Sequence, residues 1–333
     1  MMFDVVECYS VIVREELNMT VNRDSGAAAV KGRPEMFPVM LTPFTSEGEV
    51  DYPALEKLIA FYEEGGSDGL FSVCQSSEVF FLSLSERVAI AKFVKEHAHV
   101  PVVASGHVSW SLDEQISELK QIADTGVDAV ILITNRLAQQ KDSSDVWKRS
   151  LDRILNSLDP SIPLGFYECP MPYKRLVSLE ELAYAASTNR FRFMKDTCCD
   201  ISLIRRRLEV VKGSSMGLYN ANTATLLDSL NAGAAGYSGI MANFHPELYA
   251  WLLKNFKAEP EKAANVQALL TVCALIEKQF YPVNAKYYLS AVKKLPMSIY
   301  ARTQNMHDFS ALFMDEVMQL DRLVENFKQH ESL

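Results

Sequence analysis

Three stretches of the sequence carry side chains that could do chemistry in otherwise apolar surroundings. Lys195 stands in Phe191-Arg-Phe-Met-Lys-Asp-Thr197, Tyr167 stands in Gly165-Phe-Tyr-Glu-Cys-Pro170, and Cys74-Gln-Ser-Ser-Glu78 closes an apolar run that begins at Gly69. Burying an ammonium without a partner is costly. Lys195 therefore has two readings. It pairs with a neighbour such as Asp196 or reaches solvent, or burial disfavours its charged form and leaves a free amine at neutral pH. A neutral amine adds to a ketone and forms an imine, and the protonated imine withdraws electrons from the neighbouring carbon. Tyr167 is either a packing residue or the group that passes protons to and from the carbinolamine and the substrate oxygen.

These residues need a scaffold that brings them together. Eight short apolar runs lie near Phe37–Phe44, Gly69–Gln75, Pro101–His107, Ala129–Thr134, Pro163–Pro170, Phe191–Thr197, Met216–Asn222 and Gly236–Asn243. Their continuous apolarity is what parallel strands covered on both faces require. The segments between them read as helices. Ser83-Leu-Ser-Glu86, Ser111-Leu-Asp-Glu114 and Ser178-Leu-Glu-Glu181 each have the form of a capping box, in which the serine oxygen and the glutamate satisfy free N–H groups of the first turn. Glu64-Gly65-Gly66 and Thr125-Gly126 supply glycines at helix ends. Eight strand–helix units in series favour an α/β fold of the closed (β/α)8 TIM-barrel type, with an open doubly wound sheet as the alternative. Beyond residue 250 only helical spacing remains, in Glu261–Phe280, Asn284–Lys294 and Phe309–Phe327. The expected organisation is an N-terminal extension over residues 1–34, for which disorder is one reading, a barrel over 35–250 and a C-terminal helical subdomain over 251–333.

In such barrels reactive groups lie at the C-terminal ends of strands. Lys195, Tyr167 and the loop after the second run satisfy that rule. His97 and His99 precede the third run, on the opposite face, and read as a solvated helix end. A metal-dependent rival on the same barrel would have His107 and His245 as its well-placed imidazoles; no metal is expected. The net charge is −9, which argues against nucleic-acid or anionic-membrane partners held by bulk charge. No apolar run has the roughly 18–20 residues of a membrane span, and the N-terminus lacks the pattern of a secretory signal. The six cysteines contain no C-x-x-C pair, so reduced thiols and a cytoplasmic location are expected.

From about Phe37 to the C-terminal helices, the sequence resembles the dihydrodipicolinate synthase / N-acetylneuraminate lyase family of class I pyruvate aldolases. Pro38-Val-Met-Leu-Thr-Pro-Phe44 with Gly48-Glu-Val-Asp51 resembles its opening strand and turn, and Leu82-Ser-Leu-Ser-Glu-Arg87 its L-[ST]-x-x-E-R. Tyr167-Glu-Cys-Pro170 resembles its Y-N-x-P, Met194-Lys-Asp-Thr197 its I-K-[DE]-[ST], and Gly236-Tyr-Ser-Gly-Ile-Met-Ala-Asn243 its eighth-strand G-x-x-[SG]-x-x-A-N. The resemblance implies Lys195 as the Schiff-base lysine and Tyr167 as the proton-relay tyrosine. It implies substrate contacts from Gln75, Ser76 and Ser77, where the family has G-[TS]-[TSN]-G-E, and from Ser238 and Gly239. It further implies a keto-acid substrate, no cofactor because the imine is the electron sink, and a homodimer or homotetramer.

Two departures bear on the reaction. Gln75 replaces a hydroxyl residue and cannot relay protons as a hydroxyl does. Ile133-Thr-Asn-Arg136 replaces the aromatic residues usual after the fourth strand, and Met171-Pro172-Tyr173 replaces the stretch where family members carry an arginine for the acceptor's carboxylate. Arg136, Lys174 and Arg175 are the candidates for that second role. The expected function is a Schiff-base lyase or synthase acting on pyruvate or a 2-keto(-3-deoxy) acid by aldol chemistry or dehydration. The alternatives are dihydrodipicolinate synthase proper and a keto-acid-binding paralogue without turnover.

Overall fold

A computed structural model describes residues 32–333. Cys8 and nearly all of the expected 1–34 extension lie outside the described residues. The apolar runs form eight strands: β1 (Glu35–Met36), β2 (Leu70–Ser72), β3 (Val102–Ala104), β4 (Ala129–Ile133), β5 (Leu164–Tyr167), β6 (Phe191–Asp196), β7 (Gly217–Asn220) and β8 (Gly236–Tyr237). The helices between them are α1 (Tyr52–Glu64), α2 (Leu84–His97), α3 (Leu112–Ala123), α4 (Ser144–Ser157), α5 (Leu179–Ser187), α6 (Ile201–Val211) and α7 (Leu226–Asn231). Then follow α8 (Pro246–Asn255), α9 (Pro260–Cys273), α10 (Val283–Tyr287) and α11 (Ala311–Glu331).

All paired strands are parallel, in the order β1-β8-β7-β6-β5-β4-β3-β2. The ring closes where Val39 bridges Phe71, with Met40 N donating to Phe71 O at 3.0 Å and Phe71 N to Pro38 O at 3.0 Å. This is the (β/α)8 barrel with helices beyond it. At the seam a Cβ on Gly236 would lie 1.8 Å from the Glu35 carbonyl oxygen, so only glycine lets β8 approach β1 this closely.

Strand alternation sorts residues into two apolar layers. Phe71, Val103, Ile131, Tyr167, Phe193 and Tyr219 fill the barrel interior. Leu70, Val102, Val130, Leu132, Phe166 and Met194 face the helices. Phe193 stacks on Tyr219 at 4.4 Å and meets Phe37 edge-on at 5.4 Å, so an aromatic cluster packs the interior. Along β6 the same alternation turns Phe193 and Lys195 inward and Met194 and Asp196 outward.

Outside β6, Arg207 of α6 is wholly buried and pairs with Glu168 at 2.6 Å and with Asp196. Glu168 also accepts from Val177 N at 2.7 Å and Thr197 N at 3.0 Å. The two carboxylates hold the guanidinium charged and raise its pKa above the usual arginine value, against its burial. This network ties the C-terminal ends of β5 and β6 together behind Tyr167 and Lys195.

Several local expectations need correction. The first run pairs as a ladder only at Glu35–Met36, and the Phe37–Phe44 run contributes one bridge; Pro38 and Pro43 have no N–H to donate. Gly236–Asn243 is strand only over Gly236–Tyr237 and turns into a 3-10 helix at Ile240–Asn243. The Ser83/Glu86 and Ser178/Glu181 boxes form, but the Ser111 hydroxyl caps nothing. There Glu118 ties the preceding loop instead, accepting from Val108 N at 2.9 Å and Ser109 N at 3.2 Å. The segment read as one helix over Glu261–Phe280 ends its α-helical part at Cys273 and continues as a 3-10 helix, Ala274–Lys278. Among the described residues the five cysteines are free, and no helix is long and apolar enough to cross a membrane.

Candidate active site

A cavity of about 510 Å³ opens at the C-terminal ends of the strands. Its wall combines Lys195, Tyr167, Gln75 and Ser76 from the barrel with Glu277 and Tyr281 from the segment after α9. β5 and β6 pair in register at Tyr167 and Lys195, so two adjacent parallel strands present the phenol and the amine side by side. Lys195 is 4 % exposed. Its Nζ lies 4.4 Å from the centre of the Tyr167 ring and 5.9 Å from that of Phe71.

Asp196 does not neutralise Lys195, because it faces outward to Arg207. The Lys195 amine makes no ion pair or hydrogen bond among the described residues. Burial pushes its pKa below the usual lysine value, with the Cys74 and Cys169 thiols and then Glu277 acting the other way. The amine is therefore more readily available as a nucleophile than a solvated lysine's. Tyr167 hydroxyl donates to Gln75 Oε1 at 3.4 Å, a long bond, and the Cys169 thiol donates to the same oxygen at 3.6 Å. Burial raises the phenol well above its ordinary value of 10, so at neutral pH Tyr167 is a proton donor.

The loop after β2 is bent by two left-handed residues, Val73 at φ 52° and Glu78 at φ 61°. For a β-branched valine that conformation costs on the order of 1–3 kcal/mol. It turns the 3-10 segment Gln75–Ser77 over the barrel mouth. Ser76 lines the cavity beside the Tyr281 hydroxyl. Ser77 does not line it: its hydroxyl accepts from Cys74 N at 3.1 Å and donates to Met40 O at 2.6 Å, so it frames the loop. Glu78 pairs with buried Lys286 at 2.7 Å and accepts from Arg302 N and Thr303 N, which anchors the C-terminal segment on this loop.

Gly239 lines the cavity, whereas Ser238 beside it is buried, its hydroxyl without a partner among the described residues. Arg136 is also displaced from the expected position. Its guanidinium stacks on Trp110 at 4.3 Å and on Phe80 at 5.2 Å, and it lines a separate cavity of about 280 Å³. Arg175 is committed to Glu181 at 2.7 Å. Of the three cationic candidates, only Lys174 lines the 510 Å³ cavity, with its ammonium donating to Thr197 O. His107 bonds Gln115 at 3.0 Å and accepts from Ile133 N at 2.6 Å, and His245 bonds Tyr288 hydroxyl at 3.1 Å. Neither imidazole lines the cavity, and burial holds them neutral, at about 4 and about 3.

Sequence reasoning missed Glu277 and Tyr281. Glu277 sits inside the Glu261–Phe280 helical pattern and Tyr281 just beyond its end, and the break of the α-helix after Cys273 brings both to the barrel mouth. Pro282 is the one local signal, since a proline ends a helix at or before the preceding residue.

A family model described as "Dihydrodipicolinate synthetase family" matches residues 34–302. The 4-hydroxy-tetrahydrodipicolinate synthase of Methanosarcina acetivorans is 25 % identical over 248 residues, covering 74 % of this chain and 83 % of its own. The enzyme of that name from Clostridium perfringens is 24 % identical over 297 residues, covering 86 % and 97 %. Among solved structures, YagE from E. coli K12, a prophage protein of the dihydrodipicolinic acid synthase family in complex with pyruvate, superposes with a TM-score of 0.78. It is 21 % identical, over 90 % of this chain and 99 % of its own.

Proposed function

The chain belongs to the dihydrodipicolinate synthetase family, whose members are Schiff-base pyruvate lyases of the class I aldolase type, and from that premise we propose that Lys195 is its imine-forming residue. The observation that carries this is one geometry: a buried amine, unpaired among the described residues, that lines the cavity beside the Tyr167 phenol. Lys195 Nζ attacks the ketone carbon of pyruvate or a 2-keto acid. Tyr167 donates a proton to the carbinolamine oxygen as it leaves as water. The substrate carboxylate lies against the Ser76 hydroxyl and the backbone N–H groups of its loop, where charge-assisted hydrogen bonds favour an anion. Lys174 meets an acidic group at the far end of the substrate. The chain works as a homo-oligomer, like many barrels of this kind.

The acceptor is an aldehyde other than the one used by dihydrodipicolinate synthase proper, such as that released when a 2-keto-3-deoxy sugar acid is cleaved. Three features support this: Gln75 in the cavity wall at the relay position, Ile133-Thr134 in place of aromatic residues after β4, and Arg136 stacked outside the cavity. Incubation with a panel of 2-keto-3-deoxy acids, with released pyruvate reduced by lactate dehydrogenase, tests the reading. Pyruvate release from at least one member, lost on Lys195→Ala, is the expected result. A protein that neither releases pyruvate from any member nor consumes pyruvate with the matching aldehydes would overturn it.

A further inference from the structure

An imine-bound pyruvate becomes a nucleophile only when a base removes a proton from C3, and the enamine left by carbon–carbon cleavage needs that proton returned; the cavity supplies few candidates. Among the described residues, its titratable wall consists of Glu78, Tyr167, Lys174, Lys195, Cys199, Glu277 and Tyr281. Glu78 is committed to Lys286 and to the backbone of Arg302 and Thr303. Tyr167 and Tyr281 are phenols whose ionisation burial opposes, and the same holds for the Cys199 thiol. Lys195 is consumed in the imine, and Lys174 is bonded to Thr197 O. Gln75, which takes the Tyr167 hydroxyl, cannot accept and pass on a proton. The remaining carboxyl is Glu277. No ion pair or hydrogen bond to it occurs among the described residues, and its field reaches Lys195.

We infer that Glu277 is the base of the imine pathway, exchanging a proton with C3 of the keto acid held on Lys195. The inference rests on the imine reading above. In the step, the C3–H bond breaks and the proton goes to the Glu277 carboxylate. The electron pair forms C2=C3, and the C=N electrons return to the iminium nitrogen, giving the neutral enamine. No oxidant, reductant or metal enters the balance. The reverse transfer, from the Glu277 carboxylic acid to C3, releases pyruvate after carbon–carbon cleavage.

Burial raises the Glu277 carboxyl to about 7, with Lys195 and then Lys278 opposing the rise. Cys199 and Tyr281 share the cavity wall with it, and Tyr237 and Tyr249 lie within reach of its field; none of these is charged at neutral pH. A base near neutrality is well matched to C–H exchange at physiological pH. It is active when deprotonated, so exchange rises as pH rises through about 7.

The test uses pyruvate alone, so no acceptor need be known. Exchange of the C3 protons of pyruvate for deuterium is followed by NMR for wild type, Glu277→Gln and Glu277→Asp. Imine formation is followed separately by borohydride trapping and intact mass. The expected result is an exchange rate reduced about 10²- to 10⁴-fold in Glu277→Gln, with the rise near neutral pH gone. The imine mass is still gained, and Glu277→Asp partly recovers the rate. Glu277→Gln exchanging at the wild-type rate overturns the assignment. So does a variant that no longer forms the imine, or a wild type that traps pyruvate without exchanging it. A wild type that traps no pyruvate sinks the imine reading itself, an outcome distinct from the others.

Discussion

Lys195→Ala is expected to lose turnover by roughly 10⁴- to 10⁶-fold while folding normally, the scale seen when a covalent nucleophile is removed. In barrier terms that is about 5–8 kcal/mol. Lys195→Arg is expected to be equally inactive, because a guanidinium keeps its proton and cannot add to a ketone. The fold is not expected to suffer. The folded state lowers the Lys195 pKa, so below the ordinary lysine range the unfolded chain takes up a proton that the folded site resists. The site therefore destabilises the fold at neutral pH, and the penalty disappears only well above neutrality. Lys195→Met, which keeps the length of the stem, is expected to raise the melting temperature while abolishing activity. Calorimetry and the pyruvate assay on the same preparations check both halves. An active Lys195→Ala or a marked fall in its melting temperature would contradict them.

Arg207→Met is expected to be the most damaging substitution for stability, at about 3–5 kcal/mol at neutral pH. It strands Glu168 and Asp196, both wholly buried, without their shared cation. Stranded buried carboxyls bind protons more readily in the folded than in the unfolded state. The deficit of the variant therefore shrinks as pH falls from 7 towards 5. Turnover is expected to fall as well, because Glu168 also bonds Thr197 N at 3.0 Å at the end of β6. Urea denaturation at both pH values is the measurement. A deficit below about 1 kcal/mol, or one that grows on acidification, would show that the triad does not brace β5 and β6.

What could be read in the sequence follows from how local each signal is. Lys195 was legible because a charged residue in an apolar strand breaks a pattern. The strand alone left open a pairing with Asp196; the structure removes it by turning Asp196 outward to Arg207. The barrel was legible because each strand–helix unit carries its own apolar run and, at Ser83 and Ser178, its own cap.

The rest depended on contacts between distant segments. Ser76 and Ser77 are chemically alike, and only the turn set by left-handed Val73 and Glu78 decides which hydroxyl meets the cavity. Arg136 sits at a strand end, where a substrate ligand is expected, yet Trp110 and Phe80 from other loops capture its guanidinium. Glu277 was hidden inside a helical repeat, because nothing local says that the α-helix stops at Cys273 and folds its last turn over the barrel mouth. The chemistry of the lysine was thus written in one strand, whereas the shape of the pocket around it was distributed over the chain.

Reduction of the protein with borohydride in the presence of pyruvate, followed by proteolysis and peptide mapping, locates the imine directly. The expected result is a single reduced adduct on the β6 peptide, at Lys195, that forms only when pyruvate is present. An unmodified protein, or an adduct on another lysine such as Lys174, would contradict the assignment on which the rest of the chemistry stands.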